Sequence, residues 1–236
     1  MSAVFDLAVA TLRADANPVY PVRKALPAHQ TAHKRPLPVS EVGELLRAVD
    51  NQRSVRFDTR SALHLVWWTL CRSNEVIGAE WSEFDLEAGT WRIQARRMKK
   101  RKEHFVALPR QAVEMLKLLK ELNGKGTHVF PNRNDPDRPA GASALANLVE
   151  SIGWKGRFSP HAARTTGSTQ LHAMGFSPDW IERQLSHVDD NAVRRAYNHA
   201  DHFGDRAKMM QQWADLLDTW TKATSAPVKK TSEALP

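Results

Sequence analysis

Four side chains in the last third of the chain could act together on a phosphodiester. Ser159-Pro160-His161-Ala162-Ala163-Arg164 is followed by Leu185-Ser186-His187 and then by Tyr197. A histidine and an arginine three apart share a helix face. Ser159 as N-cap and Pro160 at the first helical position predict a helix starting just before them. The start of a helix already favours an anion. Guanidinium adds a planar fork of donors that stays charged, suited to the non-bridging oxygens of a phosphate under attack. Tyr197 supplies a nucleophile, although a phenol of pKa about 10 needs a base to lose its proton at neutral pH.

Two upstream segments extend the set. Thr69-Leu70-Cys71-Arg72-Ser73-Asn74-Glu75 puts a second arginine at the end of an apolar helix, with a glutamate one turn on. Glu75 is expected to orient Arg72 rather than to move a proton. Arg97-Met98-Lys99-Lys100-Arg101-Lys102-Glu103-His104-Phe105-Val106 then puts lysines in a basic hairpin. Arg92, Arg96, Arg97, Lys99, Lys100, Arg101 and Lys102 make seven basic residues in eleven. Some of them, Arg97, Lys100 and Arg101 foremost, are expected on DNA phosphates, where each contact adds salt-dependent affinity.

Taken in order, Arg72, Lys99, His161, Arg164, His187 and Tyr197 resemble the catalytic series of the tyrosine recombinases, the phage integrase family. Cys71-Arg72-Ser73-Asn74-Glu75 is similar to the family's arginine box, and Leu185-Ser186-His187 and Tyr197-Asn198-His199 to its closing motifs. The resemblance runs from about residue 37 to about 215. Two departures are visible. Leu70-Cys71 stands where a glycine-bearing approach to the first arginine is commoner, and His161-Ala162-Ala163-Arg164 differs from the usual middle pair. The resemblance implies a covalent 3′-phosphotyrosine on Tyr197 and protonation of the leaving 5′-oxygen by Lys99, with Lys100 its rival. It implies that His161 serves as a base or phosphate ligand and that His187 donates to a non-bridging oxygen. Such chemistry is energy-neutral and needs neither metal nor nucleotide cofactor. The chain carries no Gly-rich phosphate loop, and His199-Ala200-Asp201-His202 is too closely spaced on a helix to converge on a metal.

Composition sets the frame. The 236 residues carry a formal charge of +8 with 42% hydrophobic content and eight tryptophans. A large domain with a real core is expected, with a polyanion as partner. The single cysteine excludes an internal disulfide. Cys71 lies in an apolar run and reads as core packing. No run approaches the roughly 20 apolar residues of a membrane span, and no signal peptide is evident. A soluble, cytoplasmic protein, associated with the bacterial nucleoid when bound to DNA, is the expectation.

The pattern along the chain predicts an α+β fold, mainly helical with a small antiparallel sheet. Val42, Leu45, Leu46 and Val49 recur at helical spacing, residues 59–72 read as a buried central helix, and 90–94 and 104–108 alternate like strands. Helices follow from Pro109, over about 142–151 and over 203–222. Residues 1–17 are expected to be the last helix of a preceding core-DNA-binding domain, 18–36 an interdomain linker, 37–222 the catalytic domain and 223–236 a flexible tail. The expected function is site-specific recombination that integrates or excises a prophage or genomic island. Its partners are double-stranded attachment sites, further protomers in a tetrameric synapse, and accessory bending or directionality proteins. A type IB topoisomerase-like relaxing enzyme and a DNA-binding module without catalysis are the alternatives.

Overall fold

The structure, a computed structural model, describes residues 2–25, 36–98, 101–187 and 202–223. The chain divides into two compact units, Met1–Lys34 and Arg35–Pro236. The first holds α1 (Ser2–Ala10) and α2 (Val19–Ala25). Asn17 joins them: its amide donates to Ser2 O at 3.2 Å and Asp6 Oδ1 at 2.7 Å, and its Oδ1 accepts from Val19 N–H at 2.9 Å. The helix expected over residues 1–17 ends at Ala10 in a turn through Arg13, and a second helix occupies part of the segment read as a linker, with Pro18 directly before it suiting a helix start.

The second unit is built around α4 (Phe57–Thr69), flanked by α3 (Val39–Asn51), α5 (Ser73–Ile77), α6 (Arg110–Asn123), α7 (Ala144–Ser151) and α8 (Ala162–Ala173). Two further helices, α9 (Pro178–Gln184) and α10 (Phe203–Lys222), complete the described bundle. Ala62, Leu63, Leu65, Val66 and Trp67 of α4 are all buried, covering more than one face, the signature of a helix in the middle of a core. Trp67 stacks on Phe158 and on Trp213, with centroids 5.6 and 6.4 Å apart. No described helix is long and apolar enough to cross a membrane.

The sheet is antiparallel in the order β1 (Phe84–Asp85), β2 (Thr90–Ile93), β3 (His104–Ala107). Trp91 pairs with Val106, Arg92 with Phe105 and Ile93 with His104. The period-2 alternation turns Trp91, Ile93, His104 and Val106 inward and Arg92 and Phe105 outward. The two-residue β1 has no alternation to read in the sequence. Gly89, at φ +62°, closes the turn into β2.

Three boundaries differ from the sequence expectation. The central helix ends at Thr69, and Leu70 adopts a left-handed conformation (φ 56°) as its C-cap. Arg72 is consequently the N-cap of the short helix α5, not the tail of the apolar one. Helix α8 has His161 as N-cap, two residues later than Ser159. A turn bond from Ala162 N–H to Ser159 O at 2.7 Å leads into it, so the backbone tightens before the helical ladder begins. Within α6, Leu116 and Leu119 are buried as the pattern requires, whereas Leu118 faces outward. The C-terminal tail from residue 224 lies outside the described residues.

Helices α3 and α10 approach so closely at Gly43 that an added Cβ would lie 2.0 Å from Trp220 O. Arg47, one turn along, donates to the carbonyls of Trp220 at 3.2 Å and Thr221 at 3.0 Å, terminating α10. Gly43→Ala is expected to force the two helices apart and to cost roughly 1–3 kcal/mol, the range for overpacking a tight contact. Urea unfolding of the variant against the parent chain measures it.

Candidate active site

Arg164 enters the site from the first turn of α8, carried inward by the helix face that also buries Ala163 and Gly167. Only 5% of the residue is exposed. Its Nη1 donates to Leu70 O and its Nη2 to Leu185 O at 2.7 Å. The guanidinium thus joins the end of α4 to the end of α9, using carbonyls that those helix ends leave unpaired. Burial pulls its pKa below the ordinary arginine value, and the nearby Arg72 adds to the effect. A cation so poorly hydrated gains strongly from an anion placed against it.

His187 meets the same guanidinium, with Nη2 3.4 Å from its Nε2. Its position follows from the way α9 terminates. Ser186 takes a left-handed φ of 50°, its N–H returns to Arg183 O at 3.0 Å, and the N–H of His187 returns to Glu182 O at 2.9 Å. These two bonds form the left-handed helix-ending motif that usually employs glycine. The turn also brings the ring of His187 over its own helix, where Nδ1 donates to Glu182 Oε2 at 2.8 Å. That bond fixes the ring's orientation and turns Nε2 toward Arg164.

Arg72 arrives from the other side. Glu75 accepts both its backbone N–H, at 2.8 Å, and its Nη1, at 2.7 Å. About a third of the Arg72 side chain is exposed, against 6% for Glu75, so the carboxylate is an inner brace and the guanidinium reaches the surface. Cys71 immediately precedes Arg72 and is buried. Burial, with Glu75 adding to it, pushes its thiol up to about 12. It is therefore a neutral packing residue, as expected from its setting. His161 caps α8 one turn before Arg164, with its side chain exposed.

The structure thus brings together Arg72, Glu75, Arg164 and His187, with His161 at the adjoining helix end. Lys99, Lys100 and Tyr197 lie outside the described residues. Arg101 is exposed and left-handed at φ 52°. Arg97 departs from its expected place on DNA. Its side chain is 12% exposed and pairs with the fully buried carboxylate of Glu83, which also accepts Trp91 Nε1–H at 3.0 Å. Its other nitrogen donates to Glu75 O. Once Glu83 is buried, losing its cation would leave an uncompensated charge inside, so Arg97 is held inward. Two other members of the basic cluster are also paired within the protein, Arg92 with Glu103 at 2.7 Å and Arg96 with Glu80 at 2.9 Å.

Three polar residues in this region were not singled out by their sequence context. Gln184 is fully buried and donates to Thr69 O at 2.9 Å. Arg206 of α10 donates to Phe105 O at 2.8 Å and to Gln184 Oε1 at 3.3 Å. His104 donates from Nε2 to Gln184 O at 3.1 Å. The strand alternation was the available signal for His104, since it falls on the inward register with Val106.

Comparison with known proteins decides the family. The profile described as "Phage integrase family" matches residues 35–202. The chain belongs to the phage integrase family. A prophage integrase of Escherichia coli K12, IntZ, is 37% identical over 227 residues, which is 96% of this chain and 56% of that protein. The integrase of Enterobacteria phage P4 is 35% identical, over 92% of this chain and 53% of its own length. The chain spans about half the length of the curated relatives it matches. Among solved structures, the integrase from mycobacterium phage Brujita aligns at a TM-score of 0.59 and 15% identity, covering 92% of this chain and 73% of that one. A lambda integrase dimer bound to a COC′ core site aligns at 0.57 and 18% identity, covering 80% and 70%. These show the integrase fold, mostly helical with a small antiparallel sheet, in agreement with the α+β expectation.

The buried His104 yields a pH prediction. Burial first, and Arg206 second, lower its pKa from 6.5 to about 4. The folded state holds the ring neutral, so below about pH 6.5 the unfolded state binds the extra proton and stability falls as pH falls. The loss should approach 1.4 kcal/mol per pH unit between the two values and level off below the folded one. Urea titrations of the parent chain and of His104→Gln between pH 7.5 and 5 should show this slope in the parent and a shallower one in the variant.

Proposed function

We propose that this chain supplies the catalytic domain of a site-specific DNA recombinase, residues 37–222, which cuts and rejoins DNA through Tyr197. Residues 1–17 act as a helix of the core-DNA-binding domain, 18–36 as its linker and 223–236 as a tail. The observation that carries the reading is that Arg164 and His187 meet at 3.4 Å with Arg72 near enough to lower the Arg164 pKa, the three coming from three separate helix ends. A buried guanidinium beside a half-exposed one is a site for a single phosphate with charge growing on its oxygens.

In this reading Arg72 and Arg164 hold the two non-bridging oxygens. The Tyr197 oxygen attacks phosphorus while its proton passes to His161. The P–O5′ bond breaks and Lys99 gives a proton to the departing 5′-oxygen. The product is a 3′-phosphotyrosyl ester, which a 5′-hydroxyl from another strand reverses with no net change in bond type. His187, held at Nδ1 by Glu182, presents Nε2 beside Arg164 toward a non-bridging oxygen. The names of the relatives, prophage and phage integrases, favour integration or excision of a prophage as the biological setting. Duplex attachment sites and further protomers are the partners, and Lys100 and Arg101 follow the DNA backbone.

Incubation with a nicked attachment-site duplex, which traps the cleaved state by losing its 5′ fragment, tests the reading. The parent chain should yield a protein–DNA adduct stable in a denaturing gel, and Tyr197→Phe should bind the duplex comparably yet yield none. An adduct that persists in Tyr197→Phe would assign the nucleophile elsewhere.

A further inference from the structure

Gln184 is the last residue of α9, immediately before the carbonyl that Arg164 uses. Its side chain is fully buried and engaged at both ends, Nε2 to Thr69 O at 2.9 Å and Oε1 from Arg206 at 3.3 Å. Its own carbonyl accepts from His104 at 3.1 Å. Thr69 immediately precedes Leu70, whose carbonyl is the second acceptor of Arg164. Two parallel bridges therefore join the same pair of helix ends: Gln184 to Thr69, and Arg164 from Leu185 to Leu70. The first is fixed by two other elements, since Arg206 ties it to α10 and to Phe105 O of β3, and His104 ties it to β3 again.

We propose that Gln184 is a positioning residue for Arg164, holding the ends of α4 and α9 at the separation that aims the guanidinium at the phosphate. The proposal rests on Arg164 being a phosphate ligand, as assigned above. Geometry gives the reason the bridge is needed. The two carbonyls that hold Arg164 on the protein side, Leu70 O and Leu185 O, both lie at helix ends, where backbones fray most readily. Each carbonyl sits one residue beyond the pair that Gln184 clamps. Loosening the clamp lets Leu70 O and Leu185 O drift, and the guanidinium follows them. Arg206 acts through the same amide: it orients Gln184 so that Oε1 accepts and Nε2 donates to Thr69, the only arrangement that satisfies both partners.

The test compares two substrates on one preparation of each protein. Single-turnover cleavage is measured on a nicked duplex with the natural scissile phosphodiester and on the same duplex with an uncharged methylphosphonate there. A neutral linkage has less charge for arginine to stabilise, so a defect in Arg164 lowers the diester rate more than the methylphosphonate rate. Arg164→Ala sets the scale of that change in ratio. Gln184→Met, which keeps length and removes both polar atoms, should shift the ratio in the same direction by roughly 10- to 100-fold, the scale for displacing an aligned group by up to an ångström. The ratio does not depend on the fraction of protein that is folded. Gln184→Glu, which keeps an acceptor for Arg206 but sets a carboxylate against Thr69 O, should shift it the same way. A Gln184→Met protein that slows both substrates equally, or neither, overturns the proposal while leaving Arg164 in place. An unshifted ratio in Arg164→Ala would instead remove the phosphate-ligand assignment, and this proposal with it.

Discussion

A single buried guanidinium organises this site. Arg164 gives two donors to the protein, one to the carbonyl that ends α4 and one to the carbonyl that ends α9. Each carbonyl belongs to a helix end that cannot satisfy it internally, so the arginine that is proposed as a phosphate ligand also has a structural duty. The cost is desolvation of a cation, visible in its lowered pKa. In the proposed function that cost primes the group, since a phosphate set against it would meet a charge already oriented and stripped of much of its water.

The neighbouring backbone is bent to make this possible. Leu70, the C-cap of α4, and Ser186, the residue after the C-cap of α9, both take left-handed conformations that favour glycine. At Leu70 the side chain fills the space beside Gly167, where an added Cβ would lie 2.5 Å from a leucine methyl. Here the core contact of a large apolar side chain outweighs the backbone preference, and glycine is used on the facing helix instead. On the second arginine, support comes from carboxylates rather than carbonyls. Glu75 braces Arg72, and Arg97 reaches the Glu75 carbonyl while neutralising Glu83. One arginine thus lies deep and rigidly held, and the other shallower and more accessible.

The elements that carry strong periodicity were legible from the sequence. Val42, Leu45, Leu46 and Val49 announce α3, the all-round apolar run announces α4, and the alternation about Trp91 and Val106 announces the two longer strands. The order of Arg72, His161, Arg164 and His187 pointed to one site, and the described ones among them do adjoin. What sequence did not carry was orientation. Arg97 belongs to a basic cluster and reads as a DNA contact, yet a buried glutamate fourteen residues earlier claims it. The break after Thr69 also escaped, because Leu70 gives no local sign of a left-handed residue. Gln184 looked like an ordinary polar residue on a short helix. Its role depends on three partners, Thr69, His104 and Arg206, that are distant in the chain and meet only after folding.

The central claim is that Arg164 acts through the fixed geometry of its fork and not merely through its charge. Arg164→Lys tests this most directly, since an ammonium keeps the charge but cannot bridge Leu70 O and Leu185 O while facing a phosphate. Measured as the single-turnover cleavage rate on a nicked attachment-site duplex, the lysine variant should fall by roughly 10²-fold or more, the scale for losing a preorganised donor at the transition state. Cleavage within a fewfold of the parent rate would contradict the account.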